Sequence, residues 1–79
     1  MDRASILQKV IDCVNETLDL ADGVELTEDT NFKDLGADSF DLLELVTTME
    51  DEFGITFDED AVTSIATIGQ AVDAIADEL

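Results

Sequence analysis

The sequence predicts an all-α fold, a small bundle of three main helices and one short helix with a long loop between the first two helices. Apolar residues recur at the three- and four-residue spacing that is typical of amphipathic helices. Helix-capping patterns precede two of the apolar stripes, beginning at Asp38 and at Thr67. The one candidate strand, Ile55-Thr56-Phe57, is too short and too isolated to predict a sheet. The 79 residues are expected to form one domain, residues 1–79.

The first helix is predicted over residues 4–18, where one apolar stripe contains Ile6, Leu7, Val10, Ile11, Val14 and Leu18. Residues 19–38 have irregular spacing and the turn-forming pair Asp22-Gly23, so they predict a long loop. A loop of this length in a compact domain usually has a function or a packing reason. We expect its apolar residues to anchor it to the core, namely Leu20, Val24, Leu26, Phe32 and Leu35.

The second helix is predicted from Ser39 to Phe53. Asp38 is a suitable N-cap, and Asp41 three residues later completes an acidic version of the capping box. Gly54 stands where a helix commonly ends in a left-handed residue. Local residues therefore predict both the N-terminal and the C-terminal end of this helix.

Two further helices are predicted after residue 57. The segment Asp58-Glu59-Asp60-Ala61-Val62 predicts a short helical turn. The pattern Thr67-x-x-Gln70 is a capping box, and it begins a last helix with one apolar stripe that consists of Ile68, Val72, Ile75 and Leu79. A bundle with these helices needs at least one crossover connection.

The charge of the chain limits its partners. It has 21 acidic and three basic residues, a formal net charge of −18, and no base after Lys33. Such a field repels nucleic acid and anionic membranes, and it attracts basic protein surfaces and divalent cations. Self-repulsion predicts a monomer whose melting temperature rises with moderate salt. No apolar run approaches the roughly 18 residues of a membrane span, and a lone Cys13 without a signal peptide indicates a reducing cytoplasm.

The residues do not support catalysis. A serine nucleophile needs a base, and the chain has no histidine. No spacing singles out an acid/base pair of carboxylates, and Cys13 lacks a neighbouring base that would lower its pKa, so it is expected at the edge of the core. Asp58-Glu59-Asp60 lacks the later Gly and Glu of a calcium loop. We predict a protein that is not an enzyme and has no metal site.

Ser39 stands at a predicted helix start, where a phosphate group is best tolerated. A serine that cannot act as a nucleophile but lies where a phosphate could be carried suggests an attachment point. The alternative is an ordinary helix-start serine.

The second helix has two apolar faces at the helical period. The core stripe consists of Leu42, Leu45, Val46, Met49 and Phe53, while Phe40, Leu43 and Thr47 lie away from it between acidic residues. This outer face is either solvent-exposed with stray apolar residues or a docking surface for a partner rich in Lys and Arg. The predicted docking residues are Asp38, Phe40, Asp41, Leu43, Glu44, Thr47, Glu50 and Asp51.

Residues 36–46, Gly-Ala-Asp-Ser-Phe-Asp-Leu-Leu-Glu-Leu-Val, together with residues 49–55, Met-Glu-Asp-Glu-Phe-Gly-Ile, resemble the modification site of acyl carrier proteins. The resemblance extends over nearly the whole chain. It implies a four-helix bundle in which Ser39 accepts 4′-phosphopantetheine from coenzyme A, transferred by a phosphopantetheinyl transferase with magnesium. The thiol of that arm would hold acyl chains as thioesters and deliver them to the basic surfaces of fatty-acid synthesis enzymes.

Two positions depart from the family pattern. Phe40 replaces the usual Leu after the serine, and Thr47 stands where a larger apolar residue is common. Both changes concern docking, and neither removes the acceptor.

Two expectations follow from the resemblance. Because Asp38 and Asp41 repel a phosphodiester on Ser39, we expect a mobile arm. An acyl chain would need a cavity, for which we predict the lining residues Met49, Phe53, Val62, Ile65 and Ala71. The alternatives are a carrier of polyketide, nonribosomal peptide or D-alanine pathways, or an acidic cation-binding adaptor.

Overall fold

A computed structural model describes residues 2–18 and 24–79. Within them the chain forms the helices α1 (Arg3–Thr17), α2 (Ser39–Phe53), α3 (Glu59–Ser64) and α4 (Ile68–Glu78). A 3₁₀-helix at Phe32–Leu35 lies in the loop between α1 and α2. The predicted all-α bundle of three main helices and one short helix is confirmed. Of the helices described, none is long and apolar enough to cross a membrane.

The core lies where α1 packs against α4 and α2. It contains residues from every predicted stripe, and its largest fully buried side chains are Phe32, Ile6, Leu45, Met49, Ile68, Ile75, Val10, Val14 and Val72. Leu79 was wrongly placed in this core, since it follows the end of α4 and is 58% exposed. Cys13 lies at the edge of the core as expected, since it is buried and also lines a small surface pocket with charged residues of α1 and α2.

The helix ends are set by local hydrogen bonds. Asp38 and Asp41 form the predicted capping box, in which each backbone N–H donates to the other residue's carboxylate, at 3.0 and 3.2 Å. Thr67 and Gln70 form the second one at the start of α4. Gly54 ends α2 with a φ of 66°, a left-handed conformation that glycine adopts without a steric penalty. Because these contacts are short-range, the bounds of α2 and α4 could be predicted accurately from the sequence.

The described part of the α1–α2 loop is held against the start of α4. The Ile68 N–H donates to the Thr30 carbonyl at 3.0 Å, and the Gly69 N–H donates to the Glu28 carbonyl at 2.8 Å. In the other direction the Phe32 N–H donates to the Ala66 carbonyl at 3.0 Å. The first turn of a helix has free N–H groups, and here loop carbonyls satisfy two of them.

The loop anchors were predicted in part. Phe32 is buried, and Leu26 and Leu35 pack against the core. Val24 was wrongly assigned as an anchor, since it is 43% exposed. Leu20 and the Asp22-Gly23 turn lie outside the described residues.

Two of the cations join separate elements. The Arg3 guanidinium on α1 pairs with the carboxylates of Glu28 in the loop and Asp73 on α4. These carboxylates raise the pKa of Arg3, with the Asp73 hydrogen bond as the larger cause. Lys9 on α1 pairs with Glu52 on α2 at 3.3 Å. Within the described residues, Lys33 is the cation that takes part in no ion pair.

Candidate functional site

Ser39 is the first residue of α2 and is exposed to solvent. The capping hydrogen bonds at this helix start use the carboxylates of Asp38 and Asp41 and leave the Ser39 hydroxyl out. The hydroxyl is therefore accessible to another molecule, and its position is set by a helix that is capped independently of it.

Ser39 lies at a groove of about 550 Å³ between the 3₁₀-helix, α2 and the end of α3. Its walls are mostly apolar, and its lining residues are Asn31, Phe32, Lys33, Ser39, Leu42, Leu43, Val62, Thr63, Ile65 and Ala66. The chain has 21 acidic residues. Of those that lie in residues 2–18 and 24–79, none lines this groove, and Lys33 is the one charged residue among the described lining residues. An apolar groove of this kind suits an extended hydrocarbon chain.

The residues predicted to line an acyl cavity are divided between this groove and the rest of the bundle. Val62 and Ile65 line the groove, but Met49, Phe53 and Ala71 do not. Met49 and Ala71 are sealed in the core, and Phe53 lies half-buried at the other end of α2, with the Lys9 ammonium 5.8 Å from its ring centre. The loop residues that line the groove were missed, because nothing in their local sequence shows which helix the loop will lie against.

The outer face of α2 carries the predicted apolar strip. Phe40 is 82% exposed and Leu43 is 59% exposed, and both lie close to Ser39 in sequence. Thr47 is exposed as well, and its hydroxyl donates to the Leu43 carbonyl at 3.0 Å, which leaves its methyl group for contact. The apolar side chains and the Thr47 methyl group thus form one exposed strip along the outer face of α2.

The acidic residues around this strip fall into three groups. Glu44 and Asp51 are exposed on α2. Asp38 and Asp41 take part in the capping box, one on each side of Ser39 in the sequence. Glu50 differs from the others, since it is half-buried and its carboxylate accepts a hydrogen bond from the Phe57 N–H at 2.8 Å.

The Glu50 contact has a structural role that the sequence did not predict. Phe57 is buried and immediately precedes Asp58, the N-cap of α3. The Glu50 backbone carbonyl also accepts from the N–H groups of Gly54 and Ile55. Glu50 thus connects the end of α2 to the approach to α3, and one carboxylate oxygen is committed inside the protein.

The remaining reactive groups lie away from the groove. Burial raises the pKa of the Cys13 thiol, and the carboxylates of Glu52, Glu16 and Asp12 raise it further. A buried thiol with a raised pKa is a poor nucleophile. In residues 2–18 and 24–79, no group of three acidic or thiol side chains is placed to hold a metal ion.

Comparison with known proteins shows the family of the chain. The family model described as "Phosphopantetheine attachment site" matches residues 8–75. The chain is 46% identical to the acyl carrier protein of Prochlorococcus marinus over 76 residues, which is 95% of this chain and 94% of that protein. It is 49% identical over 69 residues, or 87% of its length, to the chloroplastic acyl carrier protein 1 of Spinacia oleracea, of which the match spans 50%.

The fold agrees as well. The solved structure of an acyl carrier protein from Enterococcus faecalis, a protein noted for high thermal stability, superimposes with a TM-score of 0.79 at 36% identity, over 100% of both chains. The chain spans about half the length of the chloroplastic relatives that it matches. On the family match and these similarities, the chain belongs to the acyl carrier proteins, which carry acyl groups on a covalently attached 4′-phosphopantetheine.

Proposed function

We propose that Ser39 carries the 4′-phosphopantetheine, and that the protein delivers acyl intermediates to enzymes of fatty-acid biosynthesis. The observation that supports this most directly is the exposed Ser39, left out of the capping hydrogen bonds, at the mouth of an apolar groove. An arm esterified to Ser39 starts beside the groove, so a chain held at its far end can fold back between α2 and α3.

The residues present fit the group. The arm supplies a thiol that binds the acyl chain as a thioester. The Ser39 hydroxyl offers the point of esterification, and Leu42, Val62 and Ile65 offer apolar surface to the chain. In forming the phosphodiester, the Ser39 oxygen replaces adenosine 3′,5′-bisphosphate on the coenzyme A phosphorus, and the hydroxyl proton is released.

The outer face of α2 is proposed to dock the partner enzymes, including the phosphopantetheinyl transferase. Phe40 and Leu43 would insert into apolar depressions of a partner, while Glu44 and Asp51 would pair with its Lys or Arg side chains. Exposed ion pairs add little affinity but raise the rate of association, which suits a carrier that must be captured and released repeatedly.

The fatty-acid pathway is supported by the strong acidity and by the similarity to chloroplastic and cyanobacterial acyl carrier proteins. A reducing cytoplasm would keep Cys13 as a thiol. The carrier of another pathway is the alternative, and it would use the same serine. The loaded protein can be tested with a malonyl transferase and with a D-alanine ligase. Malonylation without D-alanylation supports the fatty-acid pathway over D-alanine transfer, and the reverse result contradicts it.

The attachment is tested by intact mass. The protein is incubated with coenzyme A, magnesium and a phosphopantetheinyl transferase, and we expect a gain of one 4′-phosphopantetheine. Ser39→Ala should show no gain, whereas the matched control Ser64→Ala, which changes another exposed helical serine, should gain as the wild type does. A gain that persists in Ser39→Ala would refute the assignment.

The docking face is tested by charge reversal. Glu44→Lys should weaken binding to the transferase without unfolding the protein, because the site is exposed. Glu16→Lys, an equal change on the exposed surface of α1, is the matched control. Equal losses in both variants would indicate that only the net charge matters.

A further inference from the structure

We infer that Lys33 is a binding residue for the phosphodiester of the arm on Ser39, and that it directs the arm along the groove. This inference rests on the proposed attachment at Ser39. It assigns a function to a cation that the helix packing does not use.

The distribution of the positive charges is the first argument. The chain has three basic residues. Arg3 and Lys9 each join two helices by ion pairs. Lys33 is exposed, and within the described residues it takes part in no such pair. Its charge therefore does not hold the bundle together.

The location of Lys33 is the second argument. It lies in the 3₁₀-helix and lines the same groove as Ser39, and no acidic residue of the described part of the chain lines this groove. A phosphodiester on Ser39 meets the carboxylates of Asp38 and Asp41 on the side of the helix cap. On the groove side the charged residue is Lys33, whose flexible side chain can bring a positive charge to the phosphate, so electrostatics favours the arm in the groove over the arm in front of the cap.

The backbone around Lys33 is well placed for this role. The Lys33 N–H donates to the Asn31 side chain at 2.9 Å, and Gly36 ends the 3₁₀-helix with a φ of 80°. Phe32, the preceding residue, is buried in the core. A fixed backbone with a flexible charged side chain allows the ammonium to follow the phosphate as the arm moves.

The positive charge of Lys33 is also unfavourable for the docking of basic partners. Partners of an acidic carrier present basic surfaces, so a cation beside Ser39 would weaken their approach. Pairing with the phosphodiester neutralises both groups and removes this conflict. The exposed pair is weak, so the arm remains mobile and exchanges between the groove and the solvent.

The test compares loaded proteins by phosphorus NMR. Wild type, Lys33→Gln and the control Lys9→Gln are loaded with the transferase, and intact mass confirms one group on each. We expect the fraction of arms that lie in the groove to fall about two- to five-fold in Lys33→Gln. The phosphorus resonance of this variant should therefore be narrower than that of wild type and shifted from it. Lys9→Gln should retain the wild-type resonance, and Lys33→Arg, which keeps the charge, should restore most of it.

Added salt provides an independent measurement. Because an exposed pair is screened, about 0.5 M NaCl should move the wild-type resonance toward that of Lys33→Gln and leave Lys33→Gln nearly unchanged. Identical phosphorus linewidths and shifts in wild type and Lys33→Gln would overturn the inference. Failure of the wild type to gain mass would instead overturn the attachment at Ser39, so the two failures are distinguishable.

Discussion

The bundle has a sealed side and an open side, and they are stabilised differently. On the sealed side α1 packs against α4, whose first turn is bonded to loop carbonyls and whose residues Ile68, Ala71, Val72 and Ile75 are buried. On the open side α3 is six residues long, has no fully buried residue and forms one wall of the groove. Under the proposed function a carrier would use both sides, because one side supplies stability and the other would admit and release an acyl chain.

The largest expected difference between the two sides is in cysteine alkylation. Cys13 is buried at the core edge and its thiol pKa is raised above the ordinary value, so iodoacetamide should react with it slowly. A cysteine introduced as Val62→Cys in a Cys13→Ser background should react faster at neutral pH, by about two to three orders of magnitude. Mass spectrometry of timed samples measures both rates, and equal rates would mean that the sealed side opens as readily as the groove.

Matched valine truncations give the next largest effect. Val72→Ala removes two methyl groups at a fully buried position on α4 and should lower the free energy of unfolding by about 2 kcal/mol. Val62→Ala makes the same change in the half-buried groove wall and should lower the free energy of unfolding by less than about 1 kcal/mol. Urea denaturation of both variants checks this. Equal losses would contradict the distinction between the two sides.

Gly69→Ala tests the seal between α4 and the loop. A Cβ at Gly69 would lie 2.9 Å from the Glu28 carbonyl oxygen, a backbone atom that is itself bonded to the Gly69 N–H. This clash should outweigh the better helix propensity of alanine. We therefore expect the substitution to lower the free energy of unfolding by about 1–2 kcal/mol. Thermal melting measures it, with Gly54→Ala as a comparison in which the strain comes from a φ of 66° and not from crowding. A stabilised Gly69→Ala would show that the loop yields easily.

Glu50 tests how α3 is held. Glu50→Ala removes the acceptor of the Phe57 N–H and should destabilise the protein by about 1 kcal/mol, with faster amide exchange at Phe57. Glu50→Gln keeps an acceptor oxygen and should retain most of the protection, although the charge is lost. Hydrogen exchange by NMR separates them. If Glu50→Gln instead weakens partner binding as much as Glu44→Lys does, the role of Glu50 is at the docking surface.

The candidate site was predictable where it depends on neighbours in sequence. The Asp38–Asp41 box, Ser39 at the start of α2 and the outward Phe40 all follow from the spacing of residues along one helix. The groove lining was not predictable, since Phe32, Lys33 and Ala66 reach it through a loop and a helix end far apart in sequence. Lys33 was therefore missed as a site residue, although the sequence shows that it is the last basic residue of a strongly acidic chain.

The amino-acid sequence by itself determined the helices, their ends and the faces they present, because caps, glycine stops and apolar periodicity act within a few residues. Tertiary structure alone decided that the loop seals the start of α4, that Glu50 turns inward to Phe57 and that Cys13 is buried. These features depend on which surfaces meet across the bundle. That choice is made by the packing of the whole core, so no local pattern encodes it.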